Sequence, residues 1–392
     1  MHTPHLTRRS ALLGLSAAFT LGRASLALGA APTEKRFVVV LLRGAMDGLS
    51  AVQPYGDPAF AGLRASLALP MPGQPGGLLD LGGFYGLHPS LTNIHSMYAT
   101  GDALLLHAVA GHYRSRSHFE AQDYLESGAD QRMNSGWLNR AVAAMPGNGR
   151  DLALTVGLSA PLLLRGPARV ESWAPDHFGQ PDPDLYLKVA ALSAHDPVLG
   201  PAFAEAIKQR GLESGMMGGT ADPKAKSLVV LAQAAGRLLA APNGPRVAVL
   251  ETNGWDTHAD QNRRLAGNFK QLDDAVGALR TTLGPAWRDT VVLAVTEFGR
   301  TARINGSNGT DHGTGGVAFL MGGAVAGGKV RADWPGLGAG RLFEDRDLMP
   351  SADVRSIAKG VLADHLGLSA AGLARAFPGS DDAAPMTRLL RA

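Results

Sequence analysis

Five short apolar runs constrain this fold most: Arg36–Leu42, Ala103–Ala110, Arg246–Glu251, Thr290–Val295 and Val317–Met321. They are continuous rather than alternating, so each suits a strand buried on both faces, as in a parallel sheet covered by helices. Helical patterns stand between and beyond them at Pro89–Tyr98, His118–Ser127, Ala225–Ala240, Ala259–Leu283 and Ala352–Leu366. The alternation predicts an α/β fold with a doubly wound, mostly parallel sheet and helices on both faces. Ligands of such sheets bind beyond the carboxyl ends of the strands. Glycine- and proline-rich segments at about 53–86 and 141–185 read as excursions from the sheet.

The first 31 residues stand apart. Arg8 and Arg9 precede a weakly apolar run to about Gly22, followed by small residues at Ala27, Gly29, Ala30 and Ala31. That order is a secretory signal in its twin-arginine form. A buried amphipathic helix is the competing account, and the run lacks helical polar spacing for it. Cleavage near Gly29 to Ala31 is expected, with the twin-arginine translocase as export partner and the periplasm or exterior as destination. Residues 32–392 are then expected to form one α/β domain.

Removing that leader changes the charge balance. The chain holds 37 basic and 34 acidic residues, but Arg8, Arg9 and Arg23 fall in the leader, which leaves 34 of each sign. A neutral remainder gives no ground for binding nucleic acid or an anionic membrane surface. Cysteine is absent, which excludes disulfides and thiolate metal sites and leaves carboxylates, imidazoles and hydroxyls as ligands. No apolar stretch is long enough to predict a membrane span.

Five loops at the ends of the expected strands carry chemistry-bearing residues. Asp47 follows the first strand within Arg43-Gly44-Ala45-Met46-Asp47-Gly48; an Asp-Gly turn and a functional carboxylate both fit it. After the second strand comes His112-Tyr113-Arg114-Ser115-Arg116-Ser117-His118. Ser117 opens a helix there, either as its N-cap or as a nucleophile beside an anion held by the helix dipole and Arg116. Asp256 and His258 stand two apart at a strand-to-helix junction, either as hard metal ligands or as a helix cap with a surface imidazole. Glu297 and Arg300 follow the fourth strand, where an ordinary salt bridge is the plain alternative. Asp311 and His312 lie in a glycine-rich loop before the fifth run, where packing alone gives them little reason to be. Together these residues suit a divalent-metal site that binds an anionic ester.

These phrases resemble the uncharacterised "domain of unknown function 1501" family. The resemblance rests on Arg43-Gly44-Ala45-Met46-Asp47-Gly48-Leu49, Arg116-Ser117-His118-Phe119, Gly254-Trp255-Asp256-Thr257-His258, Glu297-Phe298-Gly299-Arg300-Thr301 and Gly309-Thr310-Asp311-His312-Gly313. That family is similar to the alkaline phosphatase and sulfatase superfamily, which implies an α/β sheet with metals at its strand ends. It also implies Asp47 as the first-strand metal aspartate, Ser117 as nucleophile, and Asp256 and His258 as later ligands. Two departures stand out. Glu297-Phe298 occupies the place of an Asp-His pair, and the superfamily's Asp-x-x-x-His spacing is shortened here to Asp256-x-His258.

The expected activity is therefore an exported, metal-dependent hydrolase or transferase acting on a phosphate or sulfate ester. Ser117, Arg116 and His118 form the expected catalytic set. Asp47, Asp256, His258, Glu297, Asp311 and His312 are the expected ligands or ligand supports for Zn, Mn, Mg or Ca. The rival from another class is a non-catalytic periplasmic binding or assembly protein that keeps the fold and serves an exported partner; the Phe298 departure favours it.

Overall fold

The computed structural model describes residues 33–145, 152–157, 159–174 and 227–391. The expected leader and part of the second excursion lie outside the described residues. Strands are numbered in chain order: β1 Arg36–Leu42, β2 Val52–Gln53, β3 Leu79–Asp80, β4 Gly86–Leu87, β5 Ala103–Ala110, β6 Ala153–Val156, β7 Val170–Trp173, β8 Val247–Thr252, β9 Thr290–Val295, β10 Gly316–Met321, β11 Lys329–Arg331 and β12 Ala352–Asp353. The main sheet runs β11-β5-β10-β9-β1-β8-β6-β7, with β12 also paired to β5.

Among the described residues, every pairing in this sheet is parallel except the two made by β10, which lies antiparallel to β5 and β9. The sheet is thus mixed and mostly parallel. The segment expected to be an excursion at 141–185 supplies β6 and β7, which extend the sheet beyond β8. The earlier excursion carries a small three-stranded sheet, β2-β4-β3.

Alternate side chains of β1 enter two separate cores. Val38, Val40 and Leu42 face one with the helices Thr92–Ala99, Leu228–Ala240 and Gln261–Leu283. Phe37, Val39 and Leu41 face the other with the helices Trp137–Ala144, Val354–Asp364 and Ala370–Ala376. Strands buried on both sides have no polar face to alternate, which is why they read as unbroken apolar runs. Burying each Val or Leu contributes roughly 1.5–3 kcal/mol, so the two cores hold the strand ends at fixed positions.

The direction of β10 decides where the site lies. Because β10 runs against its neighbours, the loop preceding it opens at the same edge as the loops following β1, β5, β8 and β9. The loop before β10 carries Asp311 and His312; those after β5, β8 and β9 carry His118, Asp256 with His258, and Glu297. All of these loops meet there.

Candidate metal centre

Glycines let the loops approach. A Cβ on Gly309 would stand 2.2 Å from the His258 carbonyl carbon, and one on Gly44, whose φ is +115°, would stand 2.6 Å from the Asp256 nitrogen. No other residue fits such contacts without displacing backbone. The loops after β9 and before β10 are also laced together, with Gly313 N donating to Gly299 O at 2.8 Å and Thr301 N to Asp311 O at 2.9 Å.

Three imidazoles and one carboxylate converge in the space so formed. His312 Nε2 lies 3.0 Å from His118 Nε2 and 3.1 Å from His258 Nε2. Asp256 Oδ1 lies 3.0 Å from His258 Nε2, 3.3 Å from His312 Nε2 and 3.6 Å from His118 Nε2. His118, Asp256 and His312 each bring a ligand atom within 4.8 Å of the others, and His258 adjoins them.

The outer nitrogens fix how these rings are protonated. His118 Nδ1 is 2.8 Å from Glu297 Oε1, His258 Nδ1 is 3.0 Å from Asp311 Oδ1, and His312 Nδ1 is 3.0 Å from the Arg116 carbonyl oxygen. An ionised carboxylate and a carbonyl only accept, so each Nδ1–H donates outward. In the neutral rings, three Nε2 lone pairs therefore point inward, together with Asp256 Oδ1. Lone pairs at 3 Å repel unless a cation lies among them, and imidazoles braced in this way are the usual arrangement of metal-binding histidines.

Charge supports the same reading. Burial pushes Glu297 up, but donation from His118, Gln122 and the Gly44 amide outweighs it and holds the carboxyl below its usual range. Burial likewise opposes ionisation of Asp256, and Arg300 with the neighbouring histidines overcomes it. For Asp311, burial is again outweighed, by His258 and Asn305. Arg300 thus acts on Asp256 and Asp311, while Glu297 is held ionised by its hydrogen-bond donors. Without a metal, His118 is raised above the usual imidazole value, first by its hydrogen bond to Glu297, whereas burial lowers His312.

The site residues divide into distinct places. His118, expected as a catalytic residue, stands among the converging ligand atoms with Asp256, His258 and His312. Glu297 and Asp311, expected among the ligands or their supports, contact the outer nitrogens of His118 and His258 and so orient them. Arg300 bonds Asp256 Oδ1 at 2.7 Å rather than pairing with Glu297. Phe298 cannot ligate; its ring packs 4.9 Å from that of His118 and 5.3 Å from that of His312.

Asp47 lies outside this cluster. It is fully buried and caps the helix Gly48–Ala51 through Leu49 N. Its two oxygens also accept from Arg64, Ser50 and Gln261. That carboxylate is engaged by these neighbours and stands apart from the converging ligand atoms. The Arg116 guanidinium binds Asp347 at 2.8 Å and Glu344 at 2.5 Å, and its backbone carbonyl reaches His312 Nδ1. The strained left-handed φ of +61° at Arg116 accompanies that carbonyl contact. Ser117 opens the helix His118–Ser127 without making a side-chain cap hydrogen bond.

The profile of the family described as "Protein of unknown function (DUF1501)" matches residues 108–389. The chain belongs to that family. No curated protein matches it. Among solved structures it is similar to the phosphonate monoester hydrolase of Agrobacterium radiobacter, at 9% identity and TM-score 0.41 over 86% of this chain and 74% of that one. A Bacteroides thetaiotaomicron protein from work on the metabolism of multiple glycosaminoglycans matches at 11% identity and TM-score 0.41, over 90% and 75%. The PsFucS1 sulfatase from Pseudoalteromonas sp. matches at 13% identity and TM-score 0.34, over 76% and 64%. Among the described residues no helix is long and apolar enough to cross a membrane.

Proposed function

We propose that this member of the DUF1501 family is an exported, metal-dependent hydrolase or transferase of a phosphate or sulfate ester. The observation that carries the reading is the convergence of three imidazole nitrogens and Asp256 Oδ1, each imidazole braced from behind. Residues that fit a metal are His118, Asp256 and His312, with His258 beside them. A set rich in imidazole suits zinc or another transition metal better than magnesium or calcium. A metal held there supplies Lewis acidity toward an ester oxygen and favours a deprotonated nucleophile.

The chain's own residues supply the rest. Glu297, Asp311 and the Arg116 carbonyl hold the imidazoles in their inward-facing tautomers. Ser117 adjoins His118 at the start of a ten-residue helix, where free N–H groups favour an anion. Its hydroxyl, which makes no cap hydrogen bond, is the proposed nucleophile: it bonds to phosphorus or sulfur as the ester bond breaks, its proton passes to the departing alcohol through solvent, and water or a second alcohol then takes the group from Ser117. The substrate class follows from the family's resemblance to the alkaline phosphatase and sulfatase superfamily, whose doubly wound sheet this reading adopts. Export through the twin-arginine translocase rests on Arg8 and Arg9.

The test is Ser117→Ala. A small aryl phosphate or sulfate ester should be hydrolysed by the metal-loaded protein and left intact by the variant, a loss of several orders of magnitude in rate, with metal content unchanged. Equal activity in both proteins would refute Ser117 as nucleophile. The binding-protein reading retains one support: the Arg116 guanidinium is committed to Asp347 and Glu344 rather than open to an anion. No turnover of any ester by metal-loaded wild type would favour it.

A further inference from the structure

We infer that Gln261 is a positioning residue that sets the spacing between the two loops contributing the centre's ligand atoms after β8 and before β10. The inference rests on the metal reading above and concerns a residue outside the converging ligands. Gln261 is the first residue of the long helix Gln261–Leu283 and is fully buried. Its Nε2 donates to Asp47 Oδ2 at 2.5 Å and lies 3.1 Å from Ser50 Oγ. Its Oε1 accepts from Thr257 Oγ1 at 3.0 Å and from Thr310 Oγ1 at 2.7 Å.

The orientation of the amide is forced. Asp47 can only accept, so the NH2 group faces it, and the carbonyl is left to the two hydroxyls. Thr257 sits between Asp256 and His258, and Thr310 directly precedes Asp311 and His312. One carbonyl oxygen therefore ties together two loops that reach it from separate strands, and Thr310 N also donates to Thr257 O at 3.3 Å. Beneath it, Asp47 and Arg64 form a buried anchor, and Arg64 Nη2 reaches the Thr301 carbonyl at 3.0 Å. Asp47 thus belongs to the foundation of the site. Thr257, Thr310 and Asp47 are all fully buried, so water cannot readily replace a lost partner.

The test is cobalt(II) titration of the full chain in three forms: wild type, Gln261→Met and Asp273→Asn. Methionine keeps the length of glutamine but removes both hydrogen-bonding ends. Asp273 is a buried carboxylate on the same helix that accepts from the Asn93 and Ile94 amides; its variant controls for lost stability alone. Gln261→Met should weaken cobalt binding about 10- to 100-fold, the range for supports of metal ligands, and alter the visible ligand-field bands. Asp273→Asn should lower the melting temperature and leave affinity and bands unchanged. Unaltered affinity and bands in Gln261→Met would overturn the inference while the metal reading stood. Equal losses in both variants would also overturn it, by making Gln261 merely structural. A wild type that binds no cobalt would overturn both.

Discussion

Asp47→Ala separates an anchor from a ligand. The side chains of Asp47 and Arg64 are both 1% exposed, so the substitution strands a guanidinium in the interior. Removing one partner of a buried ion pair costs about 3–5 kcal/mol. The lost bonds from Ser50, Gln261 and Leu49 belong to the same network and are not added separately. With an unfolding entropy of about 2 cal/mol/K per residue, the melting temperature of a domain this size should fall by about 4–7 °C. The assay is thermal unfolding of the metal-free protein, paired with metal stoichiometry at saturating zinc. The variant should melt earlier without metal and still bind as many ions as wild type. Asp47→Ala combined with Arg64→Met should recover part of the loss, because no charge is then left unpaired. Unchanged stability of the metal-free variant, together with one ion fewer at saturating zinc, would make Asp47 a metal ligand instead.

Two further outcomes are expected. Metal binding requires a deprotonated His118, and the bond to Glu297 raises that group above its ordinary 6.5, so metal affinity should fall about tenfold per pH unit for each competing proton as pH drops through the raised value. In the metal-free protein the same shift stabilises the fold below the unfolded value and is lost as pH rises through the folded one; Glu297→Gln should move both effects to lower pH, and a zinc titration flat down to pH 5 would contradict this. Replacing Arg8 and Arg9 with lysine should leave unprocessed precursor in the cytoplasm, and full processing of that variant in the periplasm would remove the twin-arginine assignment.

Much of the fold was legible because burial on both faces leaves a direct mark on sequence. β1, β5 and β9 occupy the same bounds as the apolar runs that announced them. β6 and β7 were hidden, since four-residue strands within a glycine- and proline-rich stretch carry too little pattern. The antiparallel course of β10 was equally silent, because an apolar run has no direction.

The site was legible as a set of loops and obscure in its division of labour. Spacing placed His118, Asp256, His258, Glu297, Asp311 and His312 at strand ends, but which imidazole nitrogen faces inward depends on partners from other loops. Whether Glu297 and Asp311 are ligands or supports of ligands was therefore open in the sequence, and the structure has them contact the outer nitrogens of His118 and His258. The setting of Asp47 is non-local in the same way: its buried partners Arg64 and Gln261 lie 17 and 214 residues away. Gln261 itself resembled any polar residue near a helix start. Its one mark in the sequence is a place three residues after His258, inside the helical pattern Ala259–Leu283 that the structure begins at Gln261.

On the proposed function, the inward-facing nitrogens of His118 and His312, together with Asp256, hold a divalent cation. The most direct measurement is elemental analysis of purified, folded protein, as isolated and after reconstitution with zinc, manganese, magnesium or calcium. About one divalent ion per chain is expected in the wild type, with His118→Ala and His312→Ala each sharply reducing occupancy and lowering the melting temperature of protein given metal. A wild type that holds no metal after reconstitution, or alanine variants that hold as much as wild type, would contradict it.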